Sequence, residues 1–414
     1  MNTFTVVFLI ALALSFAVEF WLSRRHFAHV QANRDQVPEA FRETITLEAH
    51  QKAADYTLAK GRLGEINRVV SLVLLLAFTL GGGIEWIAGL WQGLELSPTL
   101  TGVGVILTTM VLMQLLELPL GIYQTFVIEE KYGFNRNTPT QYAKDLVLQF
   151  ALLVAIGGAL LAVILWVMDS IGPLWWLVAW AFIQVFSIFM SWAVPTFIAP
   201  LFNKFSPLED QTLRSRIESL LARCGFQSKG IFVMDGSRRS SHGNAYFTGL
   251  GSNKRIVFFD TLINSLSHDE LEAVLAHELG HFKRKHLLKM LIASAIMTLI
   301  AFALLGWLAG QGWFYQGLGV SVQSNATALL LFMLASPAFT LFLQPITAYF
   351  QRKHEFEADD FAAEQAKPRF LISALVKLYR DNAATLTPDP LYSAFHYSHP
   401  PAAIRIANLS TKAS

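Results

Sequence analysis

The sequence predicts a mainly α-helical integral membrane protein that carries a small α/β domain on one side of the membrane. Hydrophobic residues make up 53% of its 414 residues and charged residues only 15%, whereas soluble domains average about 25% charged residues. Seven stretches of about 20 predominantly apolar residues are each long enough to cross a bilayer. The net charge of +2 leaves no surplus of cations for nucleic-acid binding, and the single cysteine, Cys224, cannot form a disulfide within the chain.

The predicted spans divide the chain into four regions. We expect five spans within residues 1–198 and two within 287–350, while the polar regions 199–286 and 351–414 form the domain. The predicted spans are 4–22, 67–91, 100–124, 146–168, 173–198, 287–310 and 326–350.

The distribution of Lys and Arg predicts how the spans are oriented. Basic residues occur in the loops 23–66 and 125–145 and in the two polar regions, whereas the other three connections contain none. Because short loops rich in Lys and Arg stay cytoplasmic, the N-terminus is expected outside and the C-terminus inside. No basic residue precedes the first span, but Arg24 and Arg25 follow it, which is the reverse of the charge order in a cleavable signal peptide.

Two carboxylates lie within the predicted spans. Glu85 belongs to the second span and Glu117 to the third. Intramembrane carboxylates usually face a bundle interior or a water-filled cavity, so our first interpretation is that both line a hydrated chamber.

Residues 199–286 are long and polar enough to form a small domain. The segment LEDQTLRSRIESLLARC has apolar residues at helical spacing and is followed by Gly225, a common residue after a helix C-terminus. The segments GIFVMDG, NAYFTGLG and RIVFFDTL predict three short strands. Ser267 with Glu270 three residues later forms a capping box, which predicts that a helix begins there.

That helix contains the metal-binding pattern HExxH, formed by His277, Glu278 and His281. At 100° per residue the two histidines lie about 40° apart on one face, so both imidazoles can bind a single zinc ion. Glu278 lies about 100° from His277 and can reach a water at that metal, where it would act as a general base. The pattern occurs by chance in a chain of this length on the order of once in a hundred sequences.

The helix itself does not supply a third ligand. Catalytic zinc usually has three protein ligands and one open position. The extended pattern HExxHxxGxxH would provide a third histidine, but Arg284 and Leu287 stand where it requires Gly and His. His286 does not substitute, because nine residues after His277 it points to the opposite face of the helix, and we interpret it as a membrane-interface residue within the basic run 283–286.

The third ligand is expected in the acidic segment RKHEFEADD that follows the last span. Glu355 and Asp359 are four residues apart and share one helix face. One of them could therefore bind the metal while the other accepts a hydrogen bond from a ligand histidine. Two histidines, one carboxylate and a water form the zinc arrangement of hydrolases, in which Glu278 would carry a proton from the water to the leaving amine.

These features together resemble the type I CAAX prenyl endopeptidases, integral-membrane zinc metalloproteases related to the a-factor converting enzyme and the prelamin A processing enzyme. The resemblance covers nearly the whole chain, through the seven spans and the segments EEKYGFNRNT, HELGH, HEFEADDFA and YSHPPAAIRI. It implies a gluzincin-like cytoplasmic domain with one zinc ion per chain. It also implies that the seven spans enclose a large water-filled chamber, into which the catalytic site faces.

The resemblance also implies roles for individual residues at the metal. His277, His281 and Glu355 would bind zinc, Glu278 would be the general base, and Asp359 would orient a ligand histidine.

Further residues are implied to contact the substrate. His399 and Arg405 would contact the peptide or its developing oxyanion. Asn244, Ala245 and Tyr246 would form an edge strand that pairs with the substrate backbone. The expected partners are therefore a peptide or lipidated peptide and membrane lipid, without nucleic acid.

The residues leave two alternative functions open. A quality-control metalloprotease of the membrane would share the HExxH pattern but require no prenyl group. A transporter or ion-binding membrane protein would use the His and Glu residues only to line a path, although the sequence contains no internal repeat typical of transporters. Short loops and a compact tail favour a bacterial protein of the cytoplasmic membrane, and bacteria generally lack protein prenylation.

Overall fold

A computed structural model describes residues 2–248 and 255–413, most of which are helical. The helices of the first half are α1 (Thr3–Ala32), α2 (Leu47–Phe78), α3 (Gly83–Gln92), α4 (Pro98–Tyr123), α5 (Pro139–Leu152), α6 (Gly158–Ser170), α7 (Trp175–Ala193) and α8 (Ala199–Phe202). Those of the second half are α9 (Gln211–Cys224), α10 (Asp260–Ser265), α11 (His268–Lys283), α12 (His286–Leu308), α13 (Gly312–Gly317), α14 (Asn325–Ala335), α15 (Pro337–Thr340), α16 (Gln344–Gln365), α17 (Pro368–Asp381), α18 (Pro390–His396) and α19 (Ala402–Ala413).

The described residues include six helical stretches that are long and apolar enough to cross a membrane. These are Thr3–Ala32, Pro98–Glu129, Pro139–Ser170, Gly172–Phe202, His286–Leu308 and Asn325–Gln365. The bent pair of α2 and α3 makes a seventh when the two helices are counted as one span. The predicted fold class, a mainly helical membrane protein with a small sheet-containing domain, is therefore confirmed.

The second predicted span, 67–91, is not one straight helix. α2 and α3 meet at a bend of 51°, and Gly82 between them has a φ of 83°, a left-handed conformation that favours glycine. The bend places Glu85 in the first turn of α3, where its carboxylate accepts hydrogen bonds from the backbone and hydroxyl of Ser321. Glu85 thus joins α3 to the loop after α13.

Apolar side chains fill the centre of the helix bundle. The largest fully buried ones come from α1, α3, α4, α6 and α13, and they are Phe8, Ile84, Ile87, Ile106, Leu165, Phe314 and Tyr315. Glu117 lies farther along α4 and accepts a hydrogen bond of 2.5 Å from the Ser71 hydroxyl of α2. This contact is an interhelical hydrogen bond of the kind that holds membrane helices together.

The small domain contains a four-stranded sheet. Its strands are β1 (Phe205–Pro207), β2 (Ile231–Met234), β3 (Ala245–Thr248) and β4 (Arg255–Phe259), in the order β1-β2-β4-β3. β2 and β4 are parallel, and the other two pairs are antiparallel. β3 is consequently an edge strand of this sheet. The turn predicted within GSNK lies outside the described residues.

The helix α11 is the centre of the domain. Its apolar residues Leu271 and Leu279 pack with Leu213 and Ile217 of α9 in one buried cluster. On its other side α11 lies against α16, and Gly280 lies at the contact between the two helices. A Cβ atom on Gly280 would lie 2.9 Å from the Cα of Ala358. A glycine is therefore required where these helices meet.

We predict that Gly280→Ala separates α11 from α16. Overpacking of this kind costs about 1–3 kcal/mol, so the variant should unfold at a lower temperature in detergent. Gly89→Ala is the matched control, because a Cβ there meets no atom within 4 Å and alanine favours a helix. Equal melting temperatures for the two variants would contradict the close approach at Gly280.

Candidate metal centre and active site

The helix that carries HExxH begins where the sequence predicts. Ser267 caps α11, and Ser267 and Glu270 form the complete capping box. Glu270 is buried and is also bound by Lys377 at 2.7 Å and by Ser373 at 2.6 Å, both on α17. The start of α11 is therefore held by its own capping box and by the hydrogen bonds that α17 donates to Glu270.

One turn of α11 and one turn of α16 bring three metal-binding groups together. The Nε2 atoms of His277 and His281 are 3.2 Å apart. The Glu355 carboxylate lies 3.5 Å from the first and 3.3 Å from the second. One ligand atom from each residue lies within 4.8 Å of the other two. These atoms converge closely enough to bind one ion.

The chemistry of these groups fits a metal. Glu355 is buried, and its Oε2 atom has no hydrogen-bond partner among the described residues. Leaving a buried carboxylate oxygen unsatisfied costs free energy, which a bound cation would recover. Two imidazole nitrogens with one carboxylate are the donor set typical of catalytic zinc.

Asp359 is not one of the three metal-binding residues, but contacts the other ring nitrogen of His277. Its Oδ1 atom is 2.8 Å from Nδ1 of His277, so it accepts a hydrogen bond from the nitrogen that faces away from Glu355. Arg405 donates to both carboxylate oxygens of Asp359, at 2.8 and 2.6 Å. Of the two carboxylates that the sequence left as alternatives, Glu355 faces the pair of Nε2 atoms and Asp359 holds His277 in place.

Buried charges compensate one another in this network. Burial lowers the pKa of His277, but the hydrogen bond to Asp359 and the neighbouring carboxylate of Glu355 raise the pKa to about 9. Burial likewise opposes the charge of Arg405, yet the bond to Asp359 raises the pKa of this guanidinium above its usual value. The two carboxylates thus favour the protonated imidazole, and a metal that binds at Nε2 competes with the proton on that nitrogen.

The candidate base and the two residues of the SHPPAAIR segment differ in their surroundings. Glu278 is half-buried and forms no hydrogen bond or ion pair within the described ranges, so its carboxylate is available to a water or substrate. His399 is 63% exposed and its Nε2 lies 3.4 Å from Glu355. Arg405 is buried beneath Asp359. Only His399 of these last two has an exposed side chain that could reach a substrate.

The three residues implied to bind the substrate backbone lie at the start of the edge strand. The carbonyl of Asn244 accepts a hydrogen bond from Phe259 on β4, while its side chain accepts one from the Ala245 amide. Because ladder bonds alternate along an antiparallel pair, the backbone groups of Ala245 face the open edge and those of Tyr246 face β4. At Ala245 an added peptide strand would therefore bond to the carbonyl, because the amide of this residue already donates to the Asn244 side chain.

His286 is a site residue that the sequence interpretation missed. It is 1% exposed, so its assignment as a membrane-interface residue is wrong. α11 ends before it, and Lys285 adopts a left-handed conformation with a φ of 57° that starts α12 in a new direction. His286 thereby turns back to His281, with 3.0 Å between their Nδ1 atoms, and its Nε2 lies 2.9 Å from Glu357. No Gly or Pro marks this break, so the sequence gives no signal for it.

These contacts predict how His286 affects the metal centre. If His281 keeps the lone pair on Nε2 for the metal, its Nδ1–H donates to His286, whose Nε2–H donates to Glu357. His286→Ala should therefore weaken metal binding by about 10- to 100-fold, measured by competition with a chelator of known affinity.

His268→Ala is the control for this variant, because His268 lies on the same helix but pairs with Asp210 at the surface. His286→Gln, whose amide can accept and donate, should recover part of the affinity. An unchanged metal affinity in His286→Ala would show that the contact has no role in orienting His281.

The chain matches two family models that together cover most of it. The model for the CAAX prenyl protease N-terminal, five membrane helices, matches residues 26–204. The model for peptidase family M48 matches residues 207–413, which include both histidines, Glu355 and Arg405.

Similar proteins span nearly the full length of this chain. CAAX prenyl protease 1 of Saccharomyces cerevisiae is 34% identical over 422 residues, covering 95% of this chain and 92% of the relative. Its homologue in Homo sapiens is 30% identical and covers 98% and 95%. The crystal structure of S. mikatae Ste24p superimposes with a TM-score of 0.93 at 33% identity, over 99% of both chains.

Proposed function

The chain belongs to the CAAX prenyl protease 1 family of membrane zinc metalloendopeptidases, and we propose that its substrates are prenylated CAAX-type or other membrane-associated peptides. The observation that carries this proposal is the convergence of His277, His281 and Glu355, the two histidines on a helix whose Phe282 packs against Phe247 of the edge strand β3. A quality-control metalloprotease would use the same site and would differ from this proposal only in that its substrates need no prenyl group. The transporter alternative has no support from the relatives.

We assign one zinc ion per chain to His277, His281 and Glu355. When bound, zinc supplies a Lewis acid and lowers the pKa of a water. The carboxylate of Glu278 accepts the proton of the attacking water and then delivers it to the leaving amine nitrogen. No described residue competes for this carboxylate, which supports the assignment.

The remaining residues orient the reacting groups. Asp359 holds the Nδ1–H of His277, so that Nε2 keeps its lone pair for the metal. Arg405 fixes Asp359 through two hydrogen bonds and is a positioning residue. His399, exposed at the edge of the group, donates a hydrogen bond to the oxyanion that develops on the scissile carbonyl.

The substrate backbone binds as an additional strand beside β3. Pairing at Ala245 presents the scissile bond in an extended conformation, while Asn244 contacts the same segment. Tyr246 contributes its side chain rather than its backbone, which is paired within the sheet.

We also propose the topology predicted from the basic residues. The chain crosses the membrane seven times, with α2 and α3 as one bent span, and its spans enclose the chamber. The N-terminus lies outside, and the active site and C-terminus lie on the cytoplasmic side. Location in the cytoplasmic membrane of a bacterium stays a prediction.

Replacement of the base tests the proposed function. In detergent-purified protein, Glu278→Gln should retain about one zinc per chain and lose hydrolysis by about 10²- to 10⁴-fold. The substrates are a farnesylated CAAX peptide and the same peptide without the lipid, and metal content is measured by elemental analysis.

Glu209→Gln, an exposed position outside the site, is the control and should keep wild-type activity. Faster cleavage of the farnesylated peptide would show that the lipid contributes to recognition. Wild-type protein without zinc, or equal hydrolysis by wild type and Glu278→Gln, would contradict the mechanism.

A further inference from the structure

The segment 129–135, which follows the helices of the third span, contacts the part of the chain that leads into the edge strand β3. The Ser241 amide donates a hydrogen bond of 3.2 Å to the carbonyl of Phe134. Asn135 pairs with Ser240 as an isolated antiparallel bridge. Backbone hydrogen bonds therefore join a loop at the membrane to the residues just before β3.

The side chain of His242 makes a second contact with this segment. Its ring stacks on that of Phe134, with centroids 4.4 Å apart and planes 18° from parallel. Its Nε2 atom lies 3.6 Å from the Glu129 carboxylate. That carboxylate also accepts a hydrogen bond of 2.7 Å from the Tyr56 hydroxyl of α2. His242 is thus held against α2 and the end of the third span together.

The other side of His242 is bound by later parts of the chain. The Asn382 side-chain oxygen, just after α17, accepts the Gly243 amide at 3.2 Å. Because this oxygen can only accept, the Nδ1–H of His242 donates to it at 3.0 Å. The Thr261 hydroxyl of α10 donates to the His242 carbonyl at 3.0 Å. The ring and the backbone of His242 are therefore both fixed.

The partners of His242 are themselves rigidly packed. Phe134 and Tyr56 are each 4% exposed and lie in one buried cluster with Ile128 and Ala383. Because protein interiors are close-packed, a displacement of one member of such a cluster displaces its neighbours. Loss of the contact at His242 would therefore release the start of β3 from the cluster.

We propose that His242 is a positioning residue for the substrate-binding strand, which it holds at the place set by Glu129 and Tyr56. This inference rests on the proposed function, in which the Ala245 carbonyl accepts a hydrogen bond from the substrate backbone. That carbonyl lies three residues after His242. A misplacement of about 1 Å near a reacting bond can cost about 100-fold in rate. The helices that continue into the membrane thus fix where the peptide lies.

The test is a double-mutant cycle between the protein and the peptide backbone. Each amide of a peptide substrate is N-methylated in turn, and kcat/KM is measured for wild type and His242→Ala. In wild type, methylation of the amide that pairs with Ala245 should lower kcat/KM by about 2- to 10-fold, the loss of one hydrogen bond.

The expected result in His242→Ala is that this one penalty disappears while those at the other amides stay. Its kcat/KM for the unmethylated peptide should fall by about 10- to 100-fold. Its zinc content should stay at about one per chain, because His242 is not a ligand. A purely structural defect would lower activity equally for every peptide and leave each penalty unchanged.

Three further variants guard against loss of the fold. Tyr56→Phe removes only the hydroxyl that holds Glu129 and should reduce the same penalty. His242→Gln, whose amide can donate to Glu129, should restore part of it. His268→Ala is the matched control, because His268 lies outside these contacts and pairs with Asp210. It should change neither kcat/KM nor the penalty.

The outcomes separate this inference from the proposed function. The same penalty at every amide in wild type and His242→Ala would overturn the positioning role. If His242→Ala does not fold, unchanged penalties in Tyr56→Phe would overturn it instead. Hydrolysis that requires Glu278 but is unaffected by methylation at any amide would overturn strand pairing and this inference, and leave the protease intact. Absence of hydrolysis by zinc-loaded wild type would contradict the proposed function itself.

Discussion

The contact between α11 and α16 is the constraint on which the candidate site depends. His277 and His281 come from one helix and Glu355 from the other, so the metal-binding group exists only where the two helices touch. Gly280 permits that contact, because its missing side chain lets the backbone of Ala358 approach. The helices that span the membrane bring α16 to this position, and the sheet and α9 hold α11 from the other side.

Electrostatic compensation explains why charged groups can be buried there. Asp359 is fully buried, and an isolated carboxylate in that environment would be strongly destabilising. Its oxygens instead accept hydrogen bonds from Arg405 and from His277. Glu355 alone keeps an unsatisfied oxygen within the described part of the site, on the side where His277 and His281 converge. Arg405 lies 3.4 Å from this oxygen without bonding to it, so the oxygen keeps a lone pair for a metal.

Local patterns predicted those features that depend on short stretches of sequence. The capping box at Ser267 and the shared face of Glu355 and Asp359 follow from helical geometry, and apolar length alone indicated the membrane helices. Features that depend on tertiary structure were not predictable in this way. The break before His286 has no local signal, whereas the bend near Gly82 falls at three consecutive glycines, a signal that the prediction of one continuous span did not use.

X-ray absorption at the zinc edge of the purified protein tests the central claim most directly, because it reports the atoms that surround the metal. The account predicts two imidazole nitrogens with oxygen ligands at about 2.0–2.2 Å and no sulfur. Metal bound through sulfur at about 2.3 Å, or a spectrum without imidazole scattering, would contradict a site formed by His277, His281 and Glu355.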